Sequence, residues 1–411
     1  MSVLLPSTFL FVLPFIQLGY SYYASVSTAG AALILFIAGA SNFRTLWQQN
    51  LVFRSIACLL MILATASYGG ASGQDVLRTV REAVAFFLVT GSAPWSLPIF
   101  NSRILSRVLF AIWLFGLGTL LMVIVQTVYL RSHAYFGIPM ELFSQNTNTL
   151  PGELALLYSN LRPSGTFAEP SYLGGICLSL IFAISPLLKK RRSVQLLAAL
   201  LVVIVGISRS LSGILFIFLY LSICMRGALR SPAIFYGCVV SLFGILLAVT
   251  LTDNPISDRL LTGGDYDASI MGRIFGPLEA IPKILPQYPL GIPLAPFQDM
   301  GYSFSGDLAA AEMTHNGLFN LIINYGFVGF LLVGVVLFSF RNTEVLVYVL
   351  ALSIQNGGFL TVDKFVIIAL SIMLHNSLRA STPQRKRVDV LREFQSYSLG
   401  RSTGPVSSSL R

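Results

Sequence analysis

The stretch SYLGGICLSLIFAISPLLKKRR, residues 171–192, decides the class of this protein. From 171 to 188 it holds no charged residue, and it then runs straight into Lys189, Lys190, Arg191 and Arg192. A helix needs about 20 apolar residues to cross the roughly 30 Å hydrocarbon core of a bilayer. A basic cluster directly after such a run marks its cytoplasmic end. The stretch therefore reads as a membrane-crossing helix that finishes in the cytoplasm.

Similar runs recur on both sides. Apolar spans are expected at 3–20, 24–41, 51–68, 80–98, 104–130, 194–208, 211–225, 232–251, 316–340, 343–358 and 365–378, besides 171–188. Of the 411 residues, 55% are hydrophobic and 11% charged, and the mean hydropathy is +0.76. A soluble globular chain carries roughly 25% charged residues. The fold class expected is all-α: a polytopic integral membrane protein of about 12 transmembrane helices. Residues 1–378 form the transmembrane domain, and 379–411 a basic, disordered cytoplasmic tail. The opening MSVLLPSTFLFVLP has no basic n-region and no small-residue cleavage site, so it reads as a retained first helix.

A net charge of +10 raises the question of nucleic acid. Its placement beside helix ends, as at Lys189–Arg192 and Arg385–Arg387, assigns it to topology instead, and no nucleic-acid partner is expected. Putting those clusters inside sends both termini inside and leaves most Lys and Arg on the inner side. Two long loops, about 131–170 and 252–315, then face outward. The four cysteines (Cys58, Cys177, Cys224, Cys238) fall in apolar segments without metal-ligand spacing.

Three motif groups face outward on this map. RPSGTFAEP (162–170) leads into the 171–188 helix, and SRSLSG (208–213) turns between two helices. MGRIF (271–275), PLGIP (289–293) and THNGLFNLIINYGFVG (314–329) follow in and after the second long loop. Arg209 is a cation at a helix–helix turn with small hydroxyl neighbours and no acid beside it in sequence. It reads either as an anion site or as a snorkelling turn residue. His315 precedes a long apolar run and has a side chain suited to proton transfer near neutral pH; capping that helix is its other reading. Glu169 stands before Pro170 at a helix start, where a carboxylate is stabilised with or without chemistry. Asp265-Tyr-Asp267 mimics a metal-binding D-x-D, but no soluble domain of the nucleotide-sugar type surrounds it, so it reads as an acidic turn. His133 reads as a helix-end residue, and His375 sits towards the inner side.

Together these motifs, in this order over about 160–335, resemble the O-antigen polymerase and ligase superfamily of bacterial envelopes. The Glu169-Pro170 pair is more similar to the Wzy-type polysaccharide polymerases, exopolysaccharide polymerases included. The resemblance implies a GT-C-like membrane glycosyltransferase in the bacterial cytoplasmic (inner) membrane, with its site facing the periplasm. Its implied partners are oligosaccharides on undecaprenyl diphosphate as donor and acceptor, membrane lipids and a chain-length regulator, with no cofactor and no metal. Direct displacement at the anomeric carbon would invert it. His315 and Glu169 are the catalytic candidates; Arg209, Arg81, Arg78, Arg162 and Arg273 are the diphosphate candidates, because guanidinium groups hold phosphate oxygens in pairs. The nearest alternative is an O-antigen ligase. A lipid-linked oligosaccharide flippase is the alternative of another class, and needs neither long outer loops nor motifs gathered on one side.

Overall fold

The computed structural model describes residues 51–92, 102–131, 163–165, 167, 170–188, 191–225, 276–293, 296–297, 316–340, 342–355 and 362–381. Within them the chain forms ten helices and no strand. They are α1 (Leu51–Ala66), α2 (Gly73–Gly91), α3 (Ser102–Arg131), α4 (Pro170–Leu188), α5 (Arg192–Ile207), α6 (Leu211–Met225), α7 (Gly276–Ile284), α8 (Gly317–Ser339), α9 (Thr343–Gln355) and α10 (Val362–Ser381). Among the described residues α3, α4 and α8 are long and apolar enough to cross a membrane by length and composition.

α4, which ends at the Lys189–Arg192 cluster, lies at the centre of the bundle and packs against α5, α6, α9 and α10. It is apolar on every side, so it has no face to offer water, and 83% of its best apolar window is buried. α3 is as apolar but only 39% buried over its window, so it is a peripheral helix. Its Phe110, Leu114, Leu117 and Leu121 are exposed at helical spacing, as are Phe53, Ile56, Leu59 and Leu63 on α1. Such apolar stripes are stable against lipid and costly against water.

Helix pairs close where small residues let backbones meet. A methyl group on Gly174 of α4 would lie 3.0 Å from the Cα of Gly213 on α6, and one on Gly175 3.0 Å from the Leu352 side chain of α9.

Of the expected spans, 3–20, 24–41 and 232–251 lie outside the described residues, and two of the others differ from expectation. The span expected at 80–98 is realised as α2, Gly73–Gly91. Its polar start is stable because Ser72 and Asp75 form a capping box: the Asp75 amide donates to Ser72 Oγ at 3.2 Å and the Ser72 amide to Asp75 Oδ2 at 2.8 Å. The span expected at 316–340 is broken at Gly326, whose φ of 56° and ψ of −130° are not helical. A methyl group on Gly329 would strike the Leu321 carbonyl oxygen, so the two halves fold against each other. Gly317–Tyr325 alone is only about 13 Å long at 1.5 Å per residue, too short to cross a bilayer.

Candidate active site

α4 begins among polar residues. Gln355, fully buried at the end of α9, donates through Nε2 to the Ser171 carbonyl at 3.2 Å. Its Oε1 has no hydrogen-bond partner among the described residues. The Ser208–Ser210 turn joining α5 to α6 packs here too, since Ser210 Oγ would lie 3.0 Å from a methyl group on Gly174. Arg209, half-buried at the tip, has a φ of 53°, and it is the one described non-glycine with positive φ. A left-handed conformation costs an ordinary residue roughly 1–2 kcal/mol, so the arginine is held there against its backbone preference.

The flanking hydroxyls build the turn. Ser208 Oγ donates to the Val205 carbonyl at 2.8 Å, and Ser210 Oγ accepts from the Gly213 amide at 3.3 Å. They end one helix and start the next.

Upstream, the described part of RPSGTFAEP is tied to α3. Gln126 Oε1 accepts from the Gly165 amide at 2.8 Å and the Ser164 amide at 3.1 Å, while its Nε2 donates to the Gly165 carbonyl at 2.8 Å. Phe167 is fully buried. One amide side chain thus fixes the turn that delivers the motif to the start of α4.

A second polar site forms at the break in α8. In an unbroken helix the Phe327 amide would donate to the Ile323 carbonyl. Here the PLGIP segment takes both groups: the Phe327 amide donates to the Pro289 carbonyl at 2.9 Å, and the Ile292 amide to the Ile323 carbonyl at 2.9 Å. Irregular backbone inside a membrane protein persists where its polar groups are satisfied in this way. Gly291 has a φ of 85°, and a methyl group on it would collide with the Asn324 backbone. Ala280, Ile284, Ile292, Phe297 and Ile323 pack beneath the segment, with Tyr68, Ile281 and Tyr288 against them. This part of the second long loop is ordered.

Arg78 reaches this break. Its Nε donates to Glu82 Oε1 at 3.1 Å, and the Tyr325 hydroxyl donates to Glu82 Oε2 at 2.7 Å. Thr65 and Thr79 share a hydrogen bond of 2.9 Å beside them. Asp75, Pro293 and Asn324 complete a small pocket. Arg81, on the same helix, is exposed. Of the seven site residues expected from sequence, Arg78, Arg81 and Arg209 are described; Arg162, Glu169, Arg273 and His315 lie outside the described residues, as do Asp265 and Asp267.

The two sites lie towards one end of the bundle. α9 ends at Gln355, where α4 begins, and starts by Glu344, whose Oε2 is 3.6 Å from His375 Nε2 near the finish of α4. The second half of α8 runs the opposite way through a short turn into α9, so its break at Gly326 points towards the beginning of α4.

Glu82, Gln126, Asn324 and Gln355 were missed in the sequence reading. A polar residue inside an apolar run was the available signal for each. Buried Lys364, whose Nζ lies 5.0 Å from the Tyr172 ring centroid, was missed for the same reason. No group of three or more His, Cys, Asp or Glu comes together among the described residues.

A family model described as WcaD colanic acid polymerase matches residues 1–377. No curated protein matches the chain.

Proposed function

The chain belongs to the WcaD colanic acid polymerase family and is an exopolysaccharide polymerase of the Wzy type, and from that premise we propose that it joins repeat units at the Arg209 turn. The donor is a growing chain on undecaprenyl diphosphate, and the acceptor a single lipid-linked repeat unit. The end of the bundle where α4 begins faces the periplasm of a bacterial inner-membrane protein of about 12 helices. Loops 131–170 and 252–315 lie on that side, and the fold is GT-C-like.

The acceptor hydroxyl oxygen attacks the donor's anomeric carbon from the side opposite the diphosphate. A new C–O bond forms as the bond to the diphosphate oxygen breaks, inverting the carbon. The electron pair leaves on the diphosphate, and the hydroxyl proton passes to a base. Arg209 meets the growing charge of the leaving group, where one well-placed donor is worth about 2.7–4 kcal/mol. Arg162 and Arg273 lie in loops of the same side and add to the cationic field. His315 takes the proton, with Glu169 as the alternative base.

One observation carries this reading: an arginine held at a φ of 53° on a turn packed against the start of α4, directly after the RPSGTFAEP motif. Strain of that kind is retained where the fold needs the side chain in one place. The test is polymerisation of lipid-linked repeat units by the purified chain in nanodiscs. Arg209→Ala is expected to lower turnover about 10²–10³-fold and to weaken donor binding. Arg209→Lys keeps the charge without the planar fork and should stay well below wild type. His315→Ala should lower turnover while donor binding survives. Near-normal turnover in a well-inserted Arg209→Ala protein removes the diphosphate role.

A further inference from the structure

We propose that the polar pocket at the α8 break is a subsite for a sugar hydroxyl of the lipid-linked substrate, read by Asn324. It rests on the polymerase reading, which brings a saccharide to this end of the bundle.

Charge excludes the diphosphate from this pocket. Asp75, Arg78 and Glu82 all line it, and their formal charges leave an excess of one negative charge. Arg78, a third exposed at the mouth, already commits its Nε to Glu82 at 3.1 Å. A diphosphate would bring further negative charge against two carboxylates. A hydroxyl is neutral and both donates and accepts, which suits a pocket mixing carboxylates with a guanidinium. This takes Arg78 out of the diphosphate set.

The second observation is independent of charge. Asn324 is 8% exposed, and its buried Oδ1 has no hydrogen-bond partner among the described residues. A buried acceptor left unsatisfied is costly, so this atom calls for an O–H or N–H donor. Asn324 lines a pocket with room for a single water-sized group, so a hydroxyl enters while the sugar ring stays at the mouth.

The surroundings hold Asn324 still. Its backbone is pressed by Gly291, and the next residue, Tyr325, is fastened to Glu82 at 2.7 Å. A hydrogen-bonding group fixed on such a frame discriminates between a substrate with the matching hydroxyl and one without it.

The test uses the full chain in nanodiscs with the lipid-linked repeat unit extracted from producing cells, and with monodeoxy analogues of that unit. Asn324→Ala is expected to raise KM for the unit about tenfold while kcat stays within about twofold. The analogue lacking the recognised hydroxyl should lose about tenfold with wild type and nothing further with Asn324→Ala. Asn324→Ser, shorter but polar, replaces the alanine variant if that one fails to insert, with the same expectation. Unchanged KM and unchanged sensitivity to every analogue overturn the subsite and leave a structural water in the pocket. A fall in kcat alone overturns it as well, in favour of a packing role. A wild-type chain that does not polymerise the unit overturns the functional reading, and the subsite with it.

Discussion

The two ends of the bundle are built differently. Where α4 begins lie the four described residues with positive φ: Gly165, Arg209, Gly291 and Gly326. The acceptors of Gln355 and Asn324 without partners lie there as well. Where α4 finishes, most polar groups close on one another, although His375 Nε2 and Arg54 Nη1 have no hydrogen-bond partner among the described residues. Tyr220 donates to Ser185 at 2.9 Å, Ser185 Oγ lies 3.2 Å from His375 Nδ1, and that nitrogen is 3.1 Å from the Phe182 carbonyl. The Phe182 ring stacks between His375 and Tyr348 at centroid distances of 4.5 and 4.0 Å. Arg54, almost fully buried, donates to Thr90 Oγ1 at 3.2 Å and to the Phe87 carbonyl, with its guanidinium over the Phe87 ring. One end holds the helices together, and the other spends conformational strain on placing side chains.

The largest effect that would break this contrast is expected at Gly326. A methyl group there would meet the Pro289 carbonyl, on a backbone that side chains rarely adopt. Gly326→Ala should therefore cost more than about 3 kcal/mol and yield little folded protein. Thermal unfolding in detergent checks this, and a stable Gly326→Ala chain would mean that the break is dispensable.

Arg54→Ala sharpens the contrast from the closed end. It removes a buried stack and two hydrogen bonds, so stability should fall by about 1–3 kcal/mol. Turnover per folded molecule should stay unchanged, measured beside unfolding. A specific loss of turnover would carry function to the closed end.

Arg209→Gly tests the opposite sign. Glycine relieves the positive φ, so unfolding should move up by about 1 kcal/mol while polymerisation is lost. A destabilised, active variant would make Arg209 a structural turn residue. The smallest expected effect is none: polymerisation should persist in EDTA, and in Asp265→Asn with Asp267→Asn, because no convincing ligand spacing occurs in the sequence. Loss in both cases, restored in wild type by a divalent ion, would reinstate the D-x-D reading.

Much of this was legible in the chain itself. Apolar runs with little or no charge have no stable form in a bilayer except the helix, which satisfies its own backbone, so the helices at 104–130, 171–188, 194–208 and 211–225 were found within a few residues of their observed bounds. The place of Arg209 on a turn between two helices was legible because a cation between two apolar runs has few places to go. The register of α2 was not, because hydropathy overlooks a polar first turn that a capping box makes stable.

Which helix is central was decided only by packing, since α3 and α4 are alike in hydropathy and differ in what surrounds them. The break in α8 and the Glu82–Tyr325 bond, 243 residues apart in sequence, also belong to the tertiary structure. NYGFVG reads locally as part of one continuous apolar helix. It bends where PLGIP, more than thirty residues earlier, pairs with the Phe327 amide and the Ile323 carbonyl that a continuous helix would pair with each other.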